Sequence, residues 1–165
     1  MMASQSSLDR TYMECAEEFA LLSRARRKKV GAIIVTPEGI MIPGFNGTPS
    51  GFDNNCEDER LGALNANGDI VPIEPDLADC YKDVRIELIT KPEVLHAESN
   101  ALSKVSMSRN TTNGATIYIT CSPCFDCSKL IIQAGIDRVV YQEEYRNLDG
   151  INFLGNFNIE VCKLP

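Results

Sequence analysis

Two short motifs constrain this chain more than anything else in it: His96-Ala97-Glu98, and Pro123-Cys124-Phe125-Asp126-Cys127. One histidine nitrogen and two cysteine sulfurs are donors of the kind that hold Zn²⁺ in a tetrahedron, and three protein ligands leave the fourth position to water. A site with an open position is built for catalysis. The motifs lie 28 residues apart, so they share one ion only if the fold returns the chain on itself.

The spacing within each motif has its own logic. If His96 opens a helix, Glu98 follows two positions later and stands beside the metal without competing as a ligand, a placement that suits a proton carrier. In the second motif Ser122 is read as N-cap and Pro123 as the first helical residue, which sets Cys124 and Cys127 on one face of the opening turn. The positive end of the helix dipole favours thiolate over thiol there. Taken singly, a lone histidine is a core or surface residue, and a lone C-x-x-C is a redox pair or half of a structural zinc site. Together, in this order and each at a helix start, the motifs point to catalytic zinc.

H-x-E followed by P-C-x-x-C is the signature of zinc-dependent cytosine and adenine deaminases, which this chain resembles. Within that group residues 44–51, Gly-Phe-Asn-Gly-Thr-Pro-Ser-Gly, resemble the G-[YFW]-N-G-x-P-x-G loop of deoxycytidylate deaminases, particularly the bacteriophage type. Val30-Gly31-Ala32 with Arg27 before it resembles that family's first strand, and the likeness runs from about Arg27 to Tyr145.

The resemblance implies hydrolysis of dCMP to dUMP and ammonia by a zinc-activated water, supplying dUMP for dTMP synthesis. It implies zinc on His96, Cys124 and Cys127, with Glu98 as the catalytic acid and base. Asn46, Ser122 and Tyr145 become substrate contacts, although Tyr145 reads equally as an exposed aromatic after a strand. It further implies a homohexamer activated by dCTP and inhibited by dTTP, often with Mg²⁺ on the triphosphate, and Gly44, Asn46, Gly47 and Gly51 as effector contacts. Some phage relatives carry a second, structural zinc held partly by histidine. Here His96 is the only histidine, so a second ion would need Cys15, Cys56 and Cys80 with another donor and is not expected.

Composition narrows the alternatives. At 165 residues the chain is expected to form one domain. Its net charge of −7 disfavours a polynucleotide partner, because nucleic-acid affinity comes largely from neutralising phosphates. No apolar run approaches a membrane span, and residues 1–5 lack a signal-peptide core, so a cytoplasmic protein is expected, in the host cell if the chain is phage-encoded. Seven cysteines are an odd number, two of them already assigned to metal. A disulfide framework is therefore not expected, and Cys121 and Cys162 read as small core residues.

Along the chain, Ser6-Ser7-Leu8-Asp9 offers an N-cap with an acid three residues later, and Leu8, Tyr12, Cys15, Ala16, Phe19 and Leu22 follow at helical spacing. The basic run 24–29 closes this first helix, either as a solvated complement to its dipole or as a phosphate contact. Residues 30–35 and 40–42 form a hairpin over Pro37-Glu38-Gly39. The glycine-rich stretch 44–57 is a loop, either an ordinary surface loop or one whose backbone approaches a ligand. Residues 58–92 read as an insertion with one short helix near 76–84, broken by Pro72, Pro75 and Pro92.

The helix from His96 runs to about Met107, and residues 115–120 form a strand that delivers Cys124. The next helix buries Leu130, Ile131 and Ala134, stops at Gly135 and passes to a strand at 136–141, with a last short strand within 156–162. The alternation predicts a three-layer α/β/α sandwich around a mixed, mostly five-stranded sheet of the cytidine deaminase kind, with ligands at the strand-to-helix turns. Two readings compete with dCMP deamination. One is another zinc deaminase acting on cytidine, guanine or tRNA adenosine. The other is a binding module in which zinc is structural, which requires a fourth protein ligand and gives Glu98 no role.

Overall fold

Strand β1, Gly31–Val35, is buried along its whole length, and the rest of the fold is laid out on its two faces. Its alternate side chains enter different cores. Ala32 and Ile34 pack with Ile117, Ile119, Val139, Ala97, Ala101 and Ile131 on one face, and Ile33 and Val35 pack with Tyr118, Val140, Met13 and Ala16 on the other. That is the period of two expected of a central strand. Fully burying an isoleucine contributes about 1.5–3 kcal/mol, so Ile33 and Ile34 make this strand expensive to displace.

The computed structural model describes residues 3–65, 67–81 and 83–165. The main sheet has the order β2-β1-β6-β7-β8, with β2 Met41–Phe45, β6 Thr116–Cys121, β7 Arg138–Glu143 and β8 Glu160–Lys163. β1 pairs antiparallel with β2 and with β6, while β6, β7 and β8 run parallel. Helix α1, Gln5–Ala20, covers one face, and α2, Ala97–Ser106, with α3, Phe125–Gln133, covers the other. The expected α/β/α sandwich around a five-stranded mixed sheet is what forms.

The stop of α3 shows how sequence sets an element's end. Gly135 has φ +72°, a conformation that a side chain disfavours. This lets Gly135 N–H reach the Ile132 carbonyl and Ile136 N–H reach that of Ile131, a Schellman closure in which Ile131 and Ile136 both enter the core.

Several local expectations are corrected. Ser4, not Ser6, caps α1, accepting from Ser7 N–H at 3.2 Å. Asp9, the expected capping acid, is buried and paired elsewhere. α1 ends at Ala20, so Leu22 is exposed and the basic run 24–29 follows the helix, from where Lys29 Nζ reaches back to the carbonyl of the C-cap Leu21 at 3.3 Å. Leu130 faces solvent, because α3 begins at Phe125 and turns that position away from the sheet. Helix α4, Asp149–Leu154, precedes β8 and was not anticipated.

The largest correction concerns residues 58–92. They hold a second, three-stranded antiparallel sheet, in the order β4-β3-β5, from β3 Glu57–Leu64, β4 Ile70–Pro72 and β5 Val84–Thr90. The expected helix shrinks to a 3₁₀ segment, Pro75–Cys80, and Val84 opens a strand. The two core clusters draw no residue from this sheet, which is why its hydrophobic pattern was faint.

Candidate active site

His96 and Cys124 occupy the same position in two different helices. Each is the N-cap, with extended backbone at φ −72°, ψ 158° and φ −70°, ψ 169°. Their carbonyls take the first helical bonds, from Asn100 N–H at 3.0 Å and Ser128 N–H at 2.9 Å. An N-cap side chain projects beyond the helix end and not along its flank. The two helix starts therefore aim their donors into the same space, and Cys127 joins them from the first turn of α3. The correction to the expected cap is one of register: Ser122 and Pro123 lie ahead of the helix, and Cys124 itself caps it.

His96 Nδ1 lies 3.5 Å from Cys124 Sγ and 3.4 Å from Cys127 Sγ, and all three donor atoms fall within 4.8 Å of one another. A tetrahedral zinc with its ordinary bond lengths sets nitrogen and sulfur about 3.6 Å apart, so the donor set fits that ion in kind and in spacing. The hydrogen bond from Cys127, with help from His96, holds the Cys124 thiol down to about 4. Its bond to Cys124 together with burial pushes Cys127 up. The contact with Cys124 raises His96.

Glu98 is 4 % exposed, and burial pushes its carboxyl above the usual carboxylate range. It lines a cavity of about 440 Å³ together with His96 and Cys124. Asn46, Ser122 and Tyr145 are brought to the same cavity, whereas Gly44, Gly47 and Gly51 are not part of its wall. Gly44 is buried beneath α2.

The polar groups of two of these residues are already engaged. Asn46 Oδ1 accepts from Val30 N–H at 2.8 Å, and its Nδ2 donates to the Lys28 carbonyl at 2.9 Å. Ser122 Oγ accepts from Tyr145 N–H at 2.8 Å, so it ties down the segment that carries Tyr145. Arg27, Lys28, Glu57, Thr90, Glu144 and Arg146 complete much of the wall. The basic run signalled Arg27 and Lys28. Nothing local marked Glu57, Thr90 or Arg146, which reach the site through the second sheet and the segment after β7.

A histidine and a pair of cysteines at two helix starts, placed to hold a metal ion beside a buried carboxylate and an open cavity, are a candidate metal centre for hydrolysis. The chain belongs to the cytidine and deoxycytidylate deaminase family, whose zinc-binding region matches residues 6–143. Within that family it is similar to deoxycytidylate deaminases of phages. It is 36% identical over 154 residues to that of Enterobacteria phage T4, across 83% of this chain and 79% of the relative. It is 33% identical over 143 residues to that of Mycobacterium phage D29, across 86% of this chain and 98% of the relative. Its fold matches the crystal structure of dCMP deaminase from the cyanophage S-TIM5 in complex with dCMP and dUMP, with TM-score 0.76 and 38% identity, over 99% of this chain and 100% of that one. Among the described residues no helix is long and apolar enough to cross a membrane.

Proposed function

We propose that this chain converts dCMP and water to dUMP and ammonia, with zinc held by His96, Cys124 and Cys127. The observation that carries the reading is the convergence of these three donors, from two helix starts, beside a cavity that His96, Cys124 and Glu98 line. The likeness to phage deoxycytidylate deaminases supports a pyrimidine nucleotide as substrate. So do Arg27, Lys28 and Arg146, three cationic side chains on the cavity wall of a chain with net charge −7, which suit a single phosphate.

Bound zinc supplies a water acidic enough to lose a proton near neutral pH. Glu98 takes that proton and delivers it to N3 of the base as the water oxygen bonds to C4. It then carries the second proton to the amino group, the C4–N bond breaks, and ammonia leaves. Asn46 faces the sugar, Ser122 and the backbone at Cys124 face the base, and Tyr145 closes the nucleotide side.

The wider reading follows from the same family likeness. One deaminase domain carries the second sheet as an insertion, works in the cytoplasm as a homohexamer, and feeds dUMP to dTMP synthesis. dCTP with Mg²⁺ activates and dTTP inhibits, through the loop that holds Asn46, Gly47 and Gly51. Ammonia release from dCMP, CMP, deoxycytidine and dCTP, each with and without dCTP or dTTP as effector, tests this reading. dCMP is expected to be the preferred substrate, and equal turnover of deoxycytidine would defeat the assignment.

A further inference from the structure

The second sheet meets the cavity through a single cross-strand pair. Glu57, at the start of β3, stands opposite Thr90, at the end of β5, and both line the cavity wall. Glu57 is 1 % exposed, and its nearest side-chain cation, Arg26 Nε, is 3.9 Å away. Main chain fills its carboxylate instead. Arg26 N–H donates to its two oxygens at 3.2 and 3.1 Å, and Arg27 N–H donates at 3.3 Å. Thr90 Oγ1 accepts from Arg27 Nη1 at 3.2 Å.

Residues 24–30 lie in neither helix nor strand, so side-chain bonds set their course. Asn46 grips Lys28 and Val30 from the β2 side, and Glu57 grips Arg26 and Arg27 from the second sheet. A buried carboxylate carries a desolvation cost of several kcal/mol, which only well-placed donors offset. Two successive amides do that here through charge-assisted bonds. The same carboxylate lies 3.9 Å from the Arg26 side chain and offsets part of the guanidinium charge.

We propose that Glu57 is a positioning residue for nucleotide binding: with Thr90 it sets Arg27 at the cavity wall, which makes the second sheet part of the substrate site. The inference rests on the reading of Arg27 and Lys28 as the phosphate side of the pocket. It gives residues 57–90 a task that the motifs alone did not assign.

The test compares the unaltered protein with Glu57→Gln and Glu57→Asp. It reads kcat and KM on dCMP and on deoxycytidine, which lacks the phosphate, together with zinc content and the calorimetric Kd for dUMP. Glutamine keeps the shape but turns an amide donor toward main-chain donors. KM for dCMP and Kd for dUMP are expected to rise about tenfold, with kcat changed less than about threefold and kcat/KM for deoxycytidine unchanged. Aspartate should recover part of the loss. Glu59→Gln, which removes only an exposed pair to Arg26, should shift KM by less than about twofold.

Unchanged dCMP constants, or equal losses on both substrates, would overturn the inference. Should the glutamine variant lose its metal, Glu57→Asp and Thr90→Val carry the same comparison. Failure of the substrate reading has a separate signature, an unaltered protein with no preference for dCMP over deoxycytidine, and the inference falls with it.

Discussion

Asp9 and Arg138 stand 129 residues apart in the chain and meet in a two-pronged ion pair, with Arg138 Nη1 and Nη2 donating to the two carboxylate oxygens at 2.7 and 2.9 Å. Tyr118 Oη and Gln5 Nε2 also donate to Asp9, at 2.8 and 2.9 Å, and Arg138 Nε reaches Glu160 at 2.8 Å. One carboxylate thus joins α1 to β6 and β7. Asp9→Ala leaves Arg138 with a single partner and is expected to destabilise the fold by about 3 kcal/mol, read as a lower urea midpoint.

The same pair predicts a pH dependence. Burial alone would push the Asp9 carboxyl up, but hydrogen bonds from Arg138, Gln5 and Tyr118 outweigh it and hold the group below its ordinary value of 3.8. A depressed carboxyl stabilises the fold above the unfolded-state value, and that contribution is lost as pH falls through the folded-state one. The stability gap between the unaltered protein and Asp9→Asn should therefore hold steady from about pH 8 to pH 5 and narrow toward pH 3, measured by urea titration at each pH.

Glu98→Gln removes a proton carrier while keeping a side chain of the same shape. Turnover of dCMP is expected to fall on the order of 10² to 10⁴-fold, with metal content and unfolding midpoint little changed. Ammonia release and metal quantitation on one preparation decide it. Normal turnover would end the proton-carrier assignment.

Cys124→Ala should behave differently. It deletes one of the three donors that lie within 4.8 Å of one another, so metal is lost along with activity. Removing metal from the unaltered protein with a chelator should also lower its melting temperature, because an ion held by α2 and α3 together stabilises only the folded state. Metal content near one ion per chain before treatment, and a melting temperature that recovers on adding zinc, are the expected readings.

Gly44 lies where β2 passes directly beneath α2. A methyl group there would overlap the Ala97 carbonyl and stand 2.6 Å from the Ala101 nitrogen. Gly44→Ala must push α2 away from the sheet, with an expected cost of about 2–3 kcal/mol. Because His96 caps that helix, metal affinity should fall with it, which titration of the metal-free variant with zinc would show.

The site was legible where chemistry is local. His96, Glu98, Cys124 and Cys127 sit in two short motifs whose residue types and spacing suit a metal and a proton carrier, whatever lies between them. β1 was legible because a strand buried on both faces reads as an apolar run, and β6 because Ile117, Tyr118 and Ile119 between two threonines are strong strand formers. Leu130 and Leu22 misled because apolar spacing specifies a face only once the helix's first and last residues are known, and those differ by two positions at the start of α3 and by at least four at the end of α1. The second sheet was faint for a related reason: its strands contribute nothing to the two main cores, so they carry no strong hydrophobic period.

By itself, then, the sequence determined the chemistry of the ion site, the central strands and the stop of α3 at Gly135, since each depends on neighbours a few positions away. Only the tertiary structure decided that Asp9 pairs with Arg138, that Glu57 and Thr90 hold the basic segment from a second sheet, and that Ser122 secures Tyr145. These bonds join residues 23 to 129 positions apart, and a polar side chain shows in the sequence no sign of which distant partner will meet it. Burial selects that partner, because once water is excluded each charge and donor must find its complement in the fold.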